Sequence, residues 1–337
     1  MSAPTFLEFA SRRRLLLLAC ALVGIVLPAL LFYDRWGDAP GNAQLGSLLE
    51  TLKGSGSAIL AGSGISNNPD DAYVAVCLAI RNQAPDLPEW LQHHYYNMGI
   101  RKFYIMDDGS SPPVSDFLDT YPIPAEAIEF HYYDESERIH YMQAKVYDEC
   151  IAFGQQHGHT WMAFIDADEY FDTPGSETIN EVLKSFEPID AIGAVGVNWR
   201  MHTSNGQLIR ANSVMQAYTE CIYDDPEDNN EASDNKHIKS IVRLAYYESM
   251  ENPHKFYLKQ GAITVGEHGD WIEHYAFRQP ITRDRLALHH YAVKSRQEYE
   301  EKISRGNAMS DPKDWGFWNH VEEMPHVHCP EMLRWVK

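Results

Sequence analysis

The run Trp161-Met162-Ala163-Phe164-Ile165-Asp166-Ala167-Asp168-Glu169 passes from five apolar residues straight into an acidic cluster. An apolar run this short predicts a strand buried on both faces. Extended backbone sends alternate side chains to one side, so Asp166 and Asp168 can face a common point while Glu169 faces away and braces the turn. Two carboxylates at one point suit a hard divalent cation, Mn²⁺ or Mg²⁺, which takes oxygen ligands and keeps positions open for phosphate oxygens.

Outward from this run, Tyr73–Ile80 reads as a buried strand and Leu87–Met98 as a helix stopped by Gly99. Lys102–Met106 is a second strand and Ala127–Tyr132 a third. Ile139–Gln156 is a long helix with Tyr141, Ala144, Tyr147 and Ile151 on one stripe. This order predicts an α/β fold, a mixed and mostly parallel sheet flanked by helices. Ligands of such sheets sit beyond the carboxyl ends of the strands. There the first strand delivers Arg81 and Asn82, and the second delivers Asp107 and Asp108. One such cluster is an ordinary turn; three strands delivering charged or amide groups to one edge predict a nucleotide site. Asp107 or Asp108 would accept from a ribose hydroxyl or a base N–H. Lys145, on the helix leading to the acidic strand, either reaches the nucleotide or lies on the surface.

The chain has 337 residues, a formal charge of -20, 44% apolar content and 12% aromatics. That is enough to bury a sizeable core. The acidity excludes nucleic acid as a partner, and a phosphate-bearing substrate would need a metal or a few placed Lys and Arg residues. Leu15–Tyr33 is uncharged, with Arg12–Arg14 before it and Asp34, Arg35 and Asp38 after it. It predicts a transmembrane signal anchor. The expected layout is a cytosolic tail over 1–14, the anchor over 15–33, a Gly-rich stem over 34–70, a folded domain over 71–306 and a tail over 307–337. This is a single-pass type II arrangement in the Golgi or ER membrane, with the domain lumenal. Placing Cys20 in the span and Cys77 in an apolar strand leaves at most one disulfide among Cys150, Cys221 and Cys329.

Over Tyr73–Gly306 the chain resembles glycosyltransferase family 92, within the broader group that has the GT-A fold. The resemblance rests on A-I-R-N-Q-A-P-D-L-P-E-W-L-Q-H-H at 79–94, F-Y-I-M-D-D-G-S at 103–110, W-M-A-F-I-D-A-D-E-Y-F at 161–171 and N-W-R-M-H-T-S-N-G at 198–206. K-H-I-K-S-I-V-R at 236–243 and H-Y-A-V-K-S-R-Q-E-Y-E-E-K-I-S-R-G at 290–306 complete it. It implies a single GT-A catalytic domain and inverting transfer, often of galactose from UDP, to a glycan acceptor. It further implies that Asp166 and Asp168 hold Mn²⁺. His290 would add a metal or diphosphate contact with Lys294 nearby, and His254 is a weaker rival. Gln83 stands where the family usually has Glu, which bears on nucleotide preference. Asn198–Gly206 would be a loop near donor and acceptor, with Trp199 offering a flat face to a sugar. Inversion needs a general base, and Glu220, Asp224 and Asp225 lie in the right interval. Two other readings compete. A nucleotidyltransferase would show a basic or Gly-rich phosphate loop after the first strand, which Arg81–Pro85 is not. A glycan-binding protein that had lost its chemistry would be marked by loss of an aspartate at 166 or 168, and both are present.

Overall fold

In β1 (Val74–Ile80), Val74, Val76, Leu78 and Ile80 join one apolar cluster and Ala75 and Cys77 join another, so both faces of the strand are covered. This is the pleat of a strand inside a layered α/β domain. The structure is a computed structural model and describes residues 73–228, 233–273, 275–307 and 313–336. β1 pairs in parallel with β2 (Lys102–Asp107), which pairs in parallel with β3 (Ile128–Tyr132). On its other side β1 pairs in parallel with β4 (Trp161–Phe164). The chain continues through β5 (Glu169–Asp172), β6 (Ile192–Met201), β7 (Glu220–Ile222), β8 (Ile238–Arg243), β9 (Tyr247–Asn252), β10 (Lys255–Leu258), β11 (Ile263–Val265), β12 (Ala287–His290) and β13 (His326–His328).

Among the described residues one sheet has nine strands in the order β3-β2-β1-β4-β8-β6-β12-β5, with β11 also paired to β6. β5 and β8 run against the rest. The helices are α1 (Leu87–Gln92, continued by a π turn over His93–Asn97), α2 (Met142–Gln156), α3 (Ile179–Phe186), α4 (Val214–Ala217), α5 (Arg296–Arg305) and α6 (Trp315–Glu323). α1 and α3 pack with Val76, Ile105 and Ala163, and α2 packs with Cys77, Tyr104 and Phe164 on the opposite face. Three strands separate β4 from β5 in pairing order, yet only residues 165–168 connect them. At roughly 4.8 Å per strand a flat sheet would hold those ends too far apart for so short a turn. The sheet therefore curls, and the turn carrying Asp166 and Asp168 lies at its carboxyl edge.

Three expectations are corrected. The second helix starts at Met142 rather than Ile139, because Tyr141 is left-handed (φ 58, ψ 47) and exposed; the buried stripe is Met142, Val146, Tyr147, Cys150 and Ile151. Asn198–Met201 is the end of β6 rather than loop, with both end residues buried. The described residues hold two disulfides, not at most one. Pleat parity turns Cys77 toward α2, where Cys150 lies with its Cα 5.9 Å away. Cys221 on β7 is bonded to Cys329 just past β13. The tail after residue 307 packs against the rest of the domain where it is described. β13 pairs with β7, Met332 is buried, and the Trp335 indole donates to Asp172 at 2.8 Å. The expected anchor over 15–33 and stem over 34–70 lie outside the described residues, among which no helix is long and apolar enough to cross a membrane.

Candidate functional site

The ends of β1, β2, β4 and β12 and the start of β8 surround a cleft of about 590 Å³. The turn after β4 supplies its acids. Asp166 is half-buried and accepts from Lys239 Nζ at 2.8 Å through Oδ2. Asp168 is buried; its Oδ2 accepts from Lys302 Nζ at 2.8 Å, and its Oδ1 lies 3.7 Å from His290 Nε2. Glu169 points into the core and braces the turn. It accepts from the Asp166 amide at 2.8 Å and from the Trp199 indole at 2.8 Å, with Lys239 Nζ 3.5 Å away.

Charges at the cleft are set by burial against these pairings. Burial alone would raise the Asp168 carboxyl, but Lys302 and then His290 and Lys294 outweigh it and hold the group well below the usual carboxylate range. Burial pushes the Glu169 carboxyl up, against the pull of Lys239. It also works against the charge of Lys239, which Asp166 and then Glu169 nevertheless keep firmly protonated. His290 is pushed down to about 3, by burial first, with Asp168 opposing. At neutral pH its imidazole is therefore neutral and has a lone pair to give.

These donors fit a divalent cation in one specific way. Asp168 Oδ1 and His290 Nε2 converge, and His290 Nδ1 is buried with no partner. Asp166 stands apart, drawn to Lys239. Among the described residues, the groups of three or more potential ligands with atoms within 4.8 Å of one another lie elsewhere, at His202/Cys221/Cys329 and Glu267/His268/Asp284. In the first, the two cysteines are bonded to each other. In the second, Glu267 is committed to the backbone N–H groups of Asp284, Arg285 and Leu286. A carboxylate and an imidazole at one point, with a second carboxylate on the same turn, suit a hard ion that draws much of its coordination from water or phosphate oxygens.

The cleft reverses the sign of the protein. Arg81, Lys239, Lys302, Arg305 and Lys313 line it, five cations against the three carboxylates of Asp108, Asp166 and Asp168. Arg81 Nε is buried without a partner. Trp199 lies between the His237 ring at 4.8 Å and the His290 ring at 4.3 Å, and His254 meets it edge-on at 5.2 Å.

Other residues expected at the site serve the scaffold. Asn82 is left-handed (φ 50) and ties the ends of β1 and β2, its N–H donating to Ser110 Oγ and its Oδ1 accepting from the Ser111 amide. Asp107 accepts from the amides of Ser110 and Val114. Asp108 does line the cleft, held in a bidentate pair by Arg138. Lys145 does not; it pairs with Glu149 on α2 and lies over the Tyr133 ring. Lys294 is 2.8 Å from Asp86 and anchors the start of α5. None of the three base candidates lines the cleft. Glu220 contacts His328, Asp224 is clamped by Arg200 and Arg283, and Asp225 accepts from the Glu227 amide on the surface. Of the three only Asp225 bonds within its own loop; distant segments hold Glu220 and Asp224, so their place in the sequence does not aim them at the cleft.

Lys239, Lys302 and Arg305 were not picked out from the sequence. Lys239 had a signal, as a lysine inside the apolar strand I-K-S-I-V. Lys302 and Arg305 share one face of α5 by their three-residue spacing.

A curled, mostly parallel α/β sheet flanked by helices, with a cleft at its carboxyl edge, is of the class that takes its ligands at that edge. Within that class, glycosyltransferase family 92 matches residues 72–313, and the chain belongs to this family. A family 92 protein of Oryza sativa subsp. japonica is 26% identical over 255 residues, covering 72% of this chain and 41% of its own length. A family 92 protein of Arabidopsis thaliana is 23% identical over 221 residues, covering 61% of this chain and 35% of its own. The chain thus spans roughly two fifths or less of these relatives. Among solved structures, a mannosyltransferase from Pyrobaculum calidifontis in complex with GDP-Man and Mn²⁺ aligns at 22% identity and a TM-score of 0.28, covering 38% of this chain and 35% of that one; so low a score carries no argument.

Proposed function

We propose that this protein is a GT-A-type hexosyltransferase that moves a sugar, galactose from UDP as the leading donor, onto a glycan acceptor with inversion. The observation that carries this reading is the cleft, where five cations and a neutral histidine surround Asp166 and Asp168 on an otherwise acidic protein. A nucleoside diphosphate needs such a place. Arg81, Lys302 and Arg305 would bind and orient the diphosphate, Arg81 through the Nε that lacks a protein partner. Asp108, its carboxylate fixed by Arg138, would accept from the ribose or the base. Asp168 and His290, with Asp166 beside them, would hold Mn²⁺ or Mg²⁺. When bound, that ion would act as a Lewis acid on the departing diphosphate. Trp199, its faces covered by His237 and His290, would hold the His290 ring beside Asp168 and present only its edge to a sugar. The general base for inversion belongs among the groups facing the cleft rather than in the acidic run after β7.

We read residues 15–33 as the anchor of a lumenal enzyme of the Golgi or ER, a placement that two disulfides suit. The test is calorimetric titration of the protein with UDP, GDP and their sugar conjugates, in Mn²⁺ and in EDTA, for wild type and Asp168→Asn. Binding of one nucleotide that needs Mn²⁺ and is lost in the variant supports the reading and names the donor. Absence of any nucleotide binding would sink it.

A further inference from the structure

Trp199 is also the first ring of a series that leaves the cleft. Its indole stacks on His237 at 4.8 Å between centroids and 21° between planes. His237 meets Phe277 edge-on at 4.5 Å, and Tyr275 follows Phe277 at 6.2 Å. Exposure rises along the series, from 8% at Trp199 to 41% at Phe277 and 69% at Tyr275.

The rings come from three separate elements: the end of β6, the turn before β8 and the loop between β11 and β12. Backbone bonds lock them together, with Ile238 N–H donating to Ala276 O at 2.9 Å and Arg278 N–H to Lys236 O at 2.8 Å. Tyr275 is held at φ 49, a left-handed conformation that costs a residue other than glycine. The fold thus spends conformational strain on an aromatic that stays outside the core. Sugars bind such rings through their apolar C–H faces while their hydroxyls remain in water. Five of the cations that would hold a nucleotide line the cleft, and along the rings Lys236 lies over Phe277 at 5.4 Å. A file of rings is also far narrower than the ~800 Å² that each side of a stable protein interface buries.

We propose that Trp199, His237, Phe277 and Tyr275 form a binding track for an extended glycan acceptor. The accepting sugar lies in the cleft beside the edge of Trp199, whose faces His237 and His290 cover, and the sugars behind it lie along Phe277 and Tyr275. This rests on the transferase reading and deepens it, because the track makes the enzyme prefer oligosaccharides to single sugars.

The test uses the full chain and a panel of neutral oligosaccharides ending in galactose, N-acetylglucosamine, mannose or fucose, from monosaccharides to pentasaccharides. Binding is read by saturation-transfer NMR, with nucleotide binding measured on the same samples. The expected result is an affinity that rises with oligosaccharide length and falls roughly tenfold in Tyr275→Ala and in Phe277→Ala, with nucleotide affinity unchanged. Tyr275 is exposed enough for its variant to fold even where Phe277→Ala does not, and Tyr275→Phe restores the length dependence. Length-independent binding, binding indifferent to a folded Tyr275→Ala, or no glycan bound by a wild type that binds nucleotide would overturn the track. Failure of nucleotide binding alone counts against the donor reading and leaves the glycan result to stand by itself.

Discussion

Asp168 and Asp172 flank the same four-residue strand, Asp168 just before β5 and Asp172 at its end, yet their surroundings differ in kind. At Asp172 two donors share one oxygen. Oδ1 accepts from the Trp335 indole at 2.8 Å and from Arg334, both in the C-terminal segment, and Oδ2 faces His289 at 3.7 Å. At Asp168 one oxygen takes a single donor, Lys302, and the other faces His290, also at 3.7 Å, but Asp168, His290 and Lys302 all line the cleft. A buried acid held by the chain's own end ties the fold together. One held by groups that face a cleft is placed to meet a ligand.

Five experiments would break or sharpen this contrast. Asp168→Ala should lower kcat about a thousandfold, the scale of losing a group that stabilises charge in the transition state. Its thermal midpoint should stay within a few degrees of wild type; a collapse in stability would make Asp168 a second Asp172. Asp172→Ala should do the reverse, costing about 3 kcal/mol in denaturant unfolding because Arg334 and His289 lose their anion, while the folded fraction keeps its kcat. The Asp172 contribution also has a pH signature. Burial would raise this carboxyl, but His289, Arg334 and Trp335 hold it down at about 2. A depressed carboxyl stabilises above its unfolded pKa, so the advantage of wild type over Asp172→Asn should shrink as pH falls from about 4 toward 2. Next in size, Lys302→Ala should weaken donor binding about tenfold and leave it Mn²⁺-dependent. Smallest, Glu220→Gln and Asp225→Asn should change kcat by less than about twofold, where loss of a true general base costs a hundredfold or more.

The sheet edge was legible in the sequence because it obeys local rules. Uninterrupted apolar runs at 74–80 and 161–164 form buried strands, and alternation sends Glu169 inward from the acidic turn, as the pleat requires. What escaped depends on contacts between distant segments. The partner of Cys77 is visible only once α2 lies across β1, seventy-three residues away in sequence. The lysines on Asp166 and Asp168 come from β8 and α5, which enter the cleft through antiparallel pairing and a late helix that no spacing motif announces. Proximity in sequence misled in the other direction at Asp224, whose acidic run is bound up with Arg200 and Arg283 away from the cleft.

The bond between Cys221 and Cys329 and the grip of Trp335 on Asp172 have a practical consequence. The unit that is inherited and the unit that folds do not share a boundary. The family match stops at residue 313, but a fragment cut there would uncover the edge of β7, break a covalent tie and take Arg334 and Trp335 from the Asp172 carboxylate. Anyone expressing this domain by its homology would be cutting through its foundations, and loss of activity in such a fragment would say nothing about the cleft.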